Sequence, residues 1–325
     1  MNEAVPKKPP RLLTGAFGVA VDQGSGLGDA IRAARGPAAA DGDLFTFKQA
    51  VVAVMSREAS VVLVDASFGP QLLGGFAAGC EPQMAFEADV YRISSTDRMT
   101  LLPDQLSVGD LPAMGVRRLK FFTYFSPRGE AGINRRKADL VTWLGGQCKV
   151  FGLEFLFEPL VYDDGCPDQS SHAFALLKPG LVAEAARYFS DPRFGIDVLK
   201  LEVPVNLEFV AGIGGGRPPA HSYSEALACF RRIGEATGLP VVYLSAGVSF
   251  DTFRRSLMMA REAGASFAGF MCGRAIWSDA IGVFGHAGEP GLVRWLDSTG
   301  LSRLRALKAA ASADATGMRG ESGAR

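Results

Sequence analysis

The fold is decided by a strand–helix–strand unit that begins with RLKFFTY (residues 118–124) and ends with LEFLF (residues 153–157). Both runs are short, apolar and aromatic, as in buried strands, and residues 134–151 between them have the apolar spacing of a helix. The same unit recurs along the chain. It predicts strands over residues 16–21, 61–64, 83–90, 118–124, 153–157, 197–203, 241–244 and 267–272, and helices over residues 28–34, 47–57, 134–151, 177–189, 222–237, 250–263 and 291–311.

Strands that alternate with helices over 325 residues predict an α/β protein with a single (β/α)8 TIM barrel, whose strands are buried on both faces. The alternative is an open doubly wound sheet, which needs a glycine-rich phosphate loop after its first strand. Gly24, Gly26 and Gly28 form G-x-G-x-G there, but the third glycine comes one place early. We expect the barrel at residues 12–308, with flexible ends at residues 1–11 and 309–325.

The composition excludes several classes of partner. Hydrophobic residues make up 48% of the chain, as in ordinary globular proteins, and 34 Lys+Arg balance 34 Asp+Glu, so no basic surplus exists for nucleic acid. The longest uncharged stretches have fifteen residues, fewer than the roughly 18 that span a membrane. The start has no apolar segment of a secretory signal, and the scattered cysteines suit reduced thiols. We therefore expect a cytoplasmic protein that binds neither nucleic acid nor membranes.

The sixth predicted strand, DVLKLEVP (residues 197–204), carries the first candidates for chemistry. Lys200 and Glu202 lie two residues apart, and they face the barrel interior if Leu199 and Leu201 pack against helices. A lysine buried among apolar residues has a lowered pKa, and its free amine can attack a carbonyl. The alternative is a Lys200–Glu202 ion pair that only stabilises the barrel.

Neighbouring strands supply two more ionisable groups. Glu158 follows the fifth apolar run, and Lys120 lies in the fourth. A second lysine would lower the pKa of Lys200 further, and Glu158 could exchange a proton with a substrate hydroxyl. Each of these two charges alone could simply be solvated at the barrel mouth, but together with Lys200 they suit Schiff-base catalysis, which needs no cofactor.

The last two strand ends are typical of a phosphate site. Ser245 and Gly247 follow the seventh strand, and Gly273 and Arg274 follow the eighth. Small residues let backbone N–H groups approach phosphate oxygens, and an arginine adds a bidentate charge. The alternative is that the glycines only make tight turns and Arg274 pairs with a surface carboxylate. Metal chemistry is not expected, because the histidines are isolated and no ligand motif is present.

These residues resemble those of the class I tagatose-1,6-bisphosphate aldolases and their relatives, the sulfofructose-phosphate aldolases. DVLKLEVPVN (197–206) is similar to the Schiff-base strand of that family, and YLSAGVS (243–249) to its phosphate strand. EPLVYD (158–163), CGRA (272–275) and the pair Asp22–Gln23 follow the family order, so the resemblance covers residues 15–281.

The resemblance implies a metal-independent aldolase that cleaves a ketose phosphate such as tagatose 1,6-bisphosphate to dihydroxyacetone phosphate and glyceraldehyde 3-phosphate. Within the same family, the alternative substrate is sulfofructose 1-phosphate, which would give sulfolactaldehyde. A non-catalytic sugar-phosphate sensor on the same barrel is the alternative from another class. The oligomeric state stays open, with a homo-oligomer as one option.

The resemblance also implies residue roles. Lys200 would form the iminium, Glu158 would move the proton, and Lys120 and Asp22 would line the catalytic pocket. The substrate would be bound by Gln23, Glu202, Ser245, Gly247, Gly273 and Arg274. The family usually has arginine after the Asp22–Gln23 pair, where this chain has Gly24-Ser25-Gly26. We therefore expect discrimination at the substrate end remote from the phosphate to be weaker than in the family at large, or differently directed.

Overall fold

The computed structural model describes residues 16–312 and contains a closed barrel of parallel strands. The strands are β1 (Ala16–Ala20), β2 (Val61–Asp65), β3 (Glu81–Ala85), β4 (Arg118–Phe125), β5 (Glu154–Val161), β6 (Val198–Glu202), β7 (Val241–Leu244) and β8 (Gly269–Cys272). They follow one another in sequence order, and β8 pairs with β1. The predicted TIM barrel is confirmed, and the open sheet is excluded because such a sheet has two unpaired edges.

Helices cover the outside of the barrel. The longer ones are α1 (Ser25–Arg35), α2 (Asp43–Met55), α5 (Ala131–Val150), α6 (His172–Phe189), α7 (Tyr223–Ala236), α8 (Phe250–Glu262), α10 (Ala280–Trp295) and α11 (Leu301–Ser312). The single-turn ones are α3 (Gly69–Leu72), α4 (Asp110–Ala113) and α9 (Arg274–Trp277). Within residues 16–312, every helix is too short or too polar to cross a membrane.

Several predicted boundaries differ from the observed ones. The helix predicted over residues 291–311 is divided between α10 and α11 by a π-helical turn over Leu296–Gly300. Residues 309–312, placed in the predicted flexible tail, belong to α11, which continues to Ser312. The rest of that tail and the segment 1–11 lie outside the described residues.

The third strand ends five residues before its predicted end at residue 90. The N–H of Phe86 still donates to the carbonyl of Lys120 in β4, but the N–H of Ala88 donates to the carbonyl of Leu101, outside the barrel wall. The Asp89 side chain accepts the N–H of Tyr91, which bends the chain into a turn. This turn places the residues after β3 over the carboxyl end of the barrel.

Strand β6 alternates as predicted. Leu199 and Leu201 belong to the large apolar cluster between strands and helices. Val198 belongs to the smaller interior cluster, and Lys200 and Glu202 share its side of the strand. The other members of the interior cluster are Ala16, Ala20, Val61, Leu63, Ala85, Leu156, Val242, Ala268 and Met271. These residues fill the lower barrel, so polar side chains collect at its carboxyl end.

One helix approaches the turn before β6 so closely that it needs a glycine. A Cβ added to Gly145 of α5 would lie 1.9 Å from the carbonyl oxygen of Phe194, whereas a Cβ on Gly146 would meet nothing within 4 Å. We expect Gly145→Ala to lower the free energy of unfolding by about 1–3 kcal/mol through overpacking. Gly146→Ala, the matched control, should raise it by about 0.5–1 kcal/mol. Urea unfolding of both variants checks this, and effects of the same sign would contradict it.

Candidate active site

The structure brings the four predicted catalytic residues together at the carboxyl end of the barrel. Glu158 Oε2 lies 2.9 Å from Lys200 Nζ and 3.1 Å from Lys120 Nζ. Asp22 Oδ2, just after β1, lies 3.2 Å from Lys120 Nζ. Each of these side chains is at most 10% exposed. They form one buried charge network that joins β1, β4, β5 and β6.

The two lysines of this network have different surroundings. Burial by itself would lower the pKa of Lys120, but the carboxylates of Glu158, Glu87 and Asp22 outweigh it and hold that pKa well above its ordinary value. Lys200 contacts Glu158 and no other carboxylate among residues 16–312. Lys120 is therefore a permanently protonated cation. The sequence predicted that it lies near Lys200, and the structure shows that three carboxylates also surround it.

Two of the carboxylates that face the lysines, Glu158 and Asp22, have lowered pKa values and are ionised. Burial opposes ionisation of Glu158, but the charges of Lys120 and Lys200 outweigh it and lower the pKa of this carboxyl. The pKa of Asp22 is lowered in the same way, against its burial, mainly by Lys120 and then by Lys200. A charged Glu158 beside Lys200 can accept a proton from it.

Glu87 is a site residue that the sequence analysis missed. One of its oxygens accepts a hydrogen bond from Lys120 Nζ, and the other, Oε2, is buried with no hydrogen-bond partner in residues 16–312. Burial raises the pKa of Glu87 to about 7; Asp22 and Glu158 add to the rise and Lys120 opposes it. Such a carboxyl suits general acid–base catalysis near neutral pH. The sequence analysis looked for ionisable residues at strand ends. Because the third strand was predicted to continue to residue 90, Glu87 was placed inside a strand and not at its end.

Glu202 lies on the interior side of β6 as predicted but forms its contacts away from Lys200. Its Oε1 lies 3.2 Å from Lys178 Nζ, and its Oε2 accepts the N–H of Val161. The Lys200–Glu202 ion pair weighed from the sequence is therefore not formed, because Lys200 pairs with Glu158 across the strands. The structure places Glu202 among contacts that join β6 to β5 and α6, and it is not part of the pocket lining.

The loops after β7 and β8 meet as the phosphate hypothesis requires. A Cβ added to Gly247 would lie 3.0 Å from the guanidinium carbon of Arg274, so this glycine makes room for the arginine. Gly247 has φ +82°, and Ala246 before it has φ +48°, a strained value for a residue with a side chain. Arg274 is exposed and pairs with no carboxylate within residues 16–312, so the surface ion pair weighed as the alternative is absent from this part of the chain.

A cavity of about 550 Å³ opens beside the charge network. Its lining includes five of the predicted site residues, namely Asp22, Gln23, Lys120, Glu158 and Arg274, together with Glu87. The other predicted residues are not in this lining, namely Lys200, Glu202, Ser245, Gly247 and Gly273, and Lys200 adjoins the cavity through its contact with Glu158. The amide nitrogen of Gln23 donates to Asp22, while its Oε1 is buried and has no partner among the described residues. Among the described residues, this oxygen and Glu87 Oε2 therefore keep unused hydrogen-bonding capacity beside the cavity.

Comparison with known proteins identifies the family of this chain. The model of a family described as "DeoC/LacD family aldolase" matches residues 17–279. The chain belongs to this aldolase family. A tagatose 1,6-diphosphate aldolase of Staphylococcus aureus is 37% identical over 257 residues, which are 79% of this chain and 78% of that protein. Tagatose 1,6-diphosphate aldolase 1 of Streptococcus mutans is 36% identical over 272 residues, 83% of this chain and 82% of that protein.

A solved aldolase structure shares the fold of this aldolase. The fructose-bisphosphate aldolase of Plasmodium falciparum, solved with TRAP and a small-molecule inhibitor, has a TM-score of 0.70 and covers 94% of this chain and 97% of its own. Its 15% identity limits the comparison to the fold. The family resemblance seen in the sequence is thus confirmed, and this aldolase is an enzyme of the carbon–carbon lyase class.

Proposed function

We propose that this aldolase is a class I enzyme that forms a Schiff base through Lys200 and cleaves a ketose phosphate. One observation supports this most directly: two buried lysines share Glu158 Oε2 but differ in charge environment. Lys120 is held protonated among three carboxylates, whereas Lys200 has one carboxylate within reach in the described chain, and that carboxylate can take its proton. An amine must lose a proton before it attacks a carbonyl.

The proposed reaction begins at C2 of the ketose. Lys200 Nζ attacks the carbonyl, and loss of water gives an iminium that withdraws electrons from C3. Glu158 removes the proton of the C4 hydroxyl, the C3–C4 bond breaks, and the aldehyde leaves. The electron pair remains as an enamine, which is protonated at C3 and hydrolysed to dihydroxyacetone phosphate. Lys120 stabilises negative charge throughout, and Glu87 is a second proton carrier beside it.

The substrate phosphate is proposed to bind at Ser245, Gly247, Gly273 and Arg274, on the loops after β7 and β8. The names of the two relatives make tagatose 1,6-bisphosphate the first substrate to test, with glyceraldehyde 3-phosphate as the second product. Sulfofructose 1-phosphate is the alternative within the family. We further propose that the enzyme acts in the cytoplasm on small molecules, without a cofactor, nucleic acid or membrane, as its composition suggests.

An assay of dihydroxyacetone phosphate release tests the proposal. Purified enzyme is given tagatose 1,6-bisphosphate, ketose 1-phosphates and sulfofructose 1-phosphate, with and without a metal chelator. We expect turnover that the chelator leaves unchanged. Binding of sugar phosphate without turnover would support the sensor alternative, and activity lost with the chelator would indicate a metal route.

Arg274→Ala tests the phosphate end of the site. The variant should lose about 1.5–3 kcal/mol in kcat/KM for phosphorylated ketoses, because a charge-assisted hydrogen bond to phosphate is removed. The control is Arg294→Ala. Arg294 is also exposed but lies on α10, so its removal should leave kcat/KM unchanged. If Arg274→Ala has wild-type kinetics, the phosphate binds elsewhere.

A further inference from the structure

The cavity has a second end, away from the proposed phosphate site. In the closed barrel, β3 lies four strands from β7 in either direction, so the loop after β3 faces the loop after β7 across the barrel mouth. Asp89 belongs to the loop after β3 and lines the cavity together with Gly24 and Asp65. A ketose with its phosphate over β7 and β8 and its C2 at Lys200 therefore extends its remote end towards Asp89.

At this second end of the cavity, the Asp89 carboxylate occupies the donors of Ser25 that could otherwise bind an anionic group of a ligand. Its Oδ2 accepts the N–H of Ser25 at 2.6 Å and the Ser25 hydroxyl at 2.7 Å, and its Oδ1 accepts the N–H of Tyr91 at 2.9 Å. A Cβ added to Gly24 would lie 2.1 Å from Asp89 Oδ2, so the glycine permits this close approach. The chain after Asp22–Gln23 is the start of α1, and the Asp89 carboxylate accepts the N–H of its first residue, Ser25.

Asp89 differs from the other carboxylates that line the cavity, because it forms no ion pair with a lysine or arginine of residues 16–312. Asp65 pairs with Lys48, while Asp22, Glu87 and Glu158 all pair with Lys120. The hydrogen-bond donors that reach Asp89 are neutral, and among residues 16–312 no cation lies within ion-pair distance of it. Burial opposes its ionisation, but the bonds from Tyr91 and Ser25 outweigh burial and lower its pKa, so Asp89 is ionised at neutral pH.

We propose that Asp89 makes this aldolase select ketose 1-phosphates whose remote end is uncharged over 1,6-bisphosphates and sulfonated analogues. The inference rests on the function proposed above and narrows its substrate class. A second phosphate beside an unbalanced carboxylate is repelled in a partly buried site. A sugar hydroxyl at the same place can donate a hydrogen bond to the charged oxygen.

The test compares kcat/KM for tagatose 1-phosphate with kcat/KM for tagatose 1,6-bisphosphate. We expect the wild-type enzyme to favour the 1-phosphate by about tenfold or more, since like charges in an interface disfavour the wrong ligand. Asp89→Asn keeps the size of the side chain and removes its charge, and it should move this ratio at least about tenfold towards the bisphosphate.

Asp110→Asn is a matched control. Asp110 Oδ2 accepts the N–H and the hydroxyl of Ser107 at 2.8 and 2.7 Å, the same pair of bonds that Asp89 Oδ2 makes with Ser25, but Asp110 does not line the cavity. The substrate ratio should stay at its wild-type value in this variant. If Asp89→Asn does not fold, the wild-type ratio still decides, because it should fall as added salt screens the repulsion.

The possible results distinguish a failure of the proposed substrate selection from a failure of the proposed aldolase function. A wild-type enzyme that uses the bisphosphate as well as the 1-phosphate, or better, overturns the selection while the aldolase function stands. An unchanged ratio in Asp89→Asn shows that another group sets the preference and overturns the role of Asp89. Failure to cleave any ketose phosphate, with no borohydride-trapped adduct, overturns the proposed function and this inference with it.

Discussion

Lys200→Met is expected to abolish cleavage, with kcat lower by about 10⁴-fold or more, as when a covalent nucleophile is removed from an enzyme. Methionine fills the space of the lysine but has no amine, so no iminium forms and the electron sink is lost. Sodium borohydride added with dihydroxyacetone phosphate should inactivate the wild-type enzyme and attach the reduced triose to Lys200. Peptide mass mapping of both proteins checks this.

Lys137→Met is the control for that experiment. Lys137 is a buried lysine of α5 whose pKa is lowered by its burial to about 8. Its Nζ lies over the ring of Tyr162, away from Glu158 and the charge network. Because a lowered pKa alone does not bring an amine to the substrate, this variant should keep its turnover and its adduct on Lys200. An adduct on Lys120 or Lys137 would contradict the assignment of Lys200.

The second large effect is expected from Glu158→Gln. Glutamine keeps the shape of the side chain but cannot carry a proton, so kcat should fall by about 10²–10⁴-fold, the usual range for general acid–base catalysis. Trapping by borohydride should still label Lys200, although more slowly, since the amine remains and water can take its proton in place of Glu158. Measuring turnover and trapping on the same preparation separates the loss of proton transfer from the loss of the nucleophile.

Glu202→Gln is the matched control for Glu158→Gln. Glu202 is equally buried and lies on the same strand as Lys200, but it contacts Lys178 and the backbone of Val161. Its replacement should affect stability more than kcat. If Glu158→Gln retains nearly wild-type turnover, then Glu87, with its pKa near 7, carries the proton and Glu158 only holds the lysines in place.

The sequence by itself determined that the fold is a barrel. Alternating apolar runs and helical segments are local patterns, and each run, such as residues 118–124, is recognisable from its own residues. The ends of two strands differ from the predicted ones. β5 continues to Val161 through Pro159, because its pairing with β4 extends that far, and β3 stops early, because Asp89 makes a turn that depends on its own hydrogen bonds.

The sequence also determined the positions of Lys200, Glu158 and Lys120, because strand ends and buried charges can be recognised without knowing what they touch. Only the closed barrel determines which of these charged side chains contact one another. Lys200 pairs with Glu158, 42 positions away, and not with Glu202 two residues along its own strand. Asp89 binds Ser25 across 64 positions. Such contacts depend on distances in space between strands, and electrostatic energy follows those distances and not the spacing along the chain.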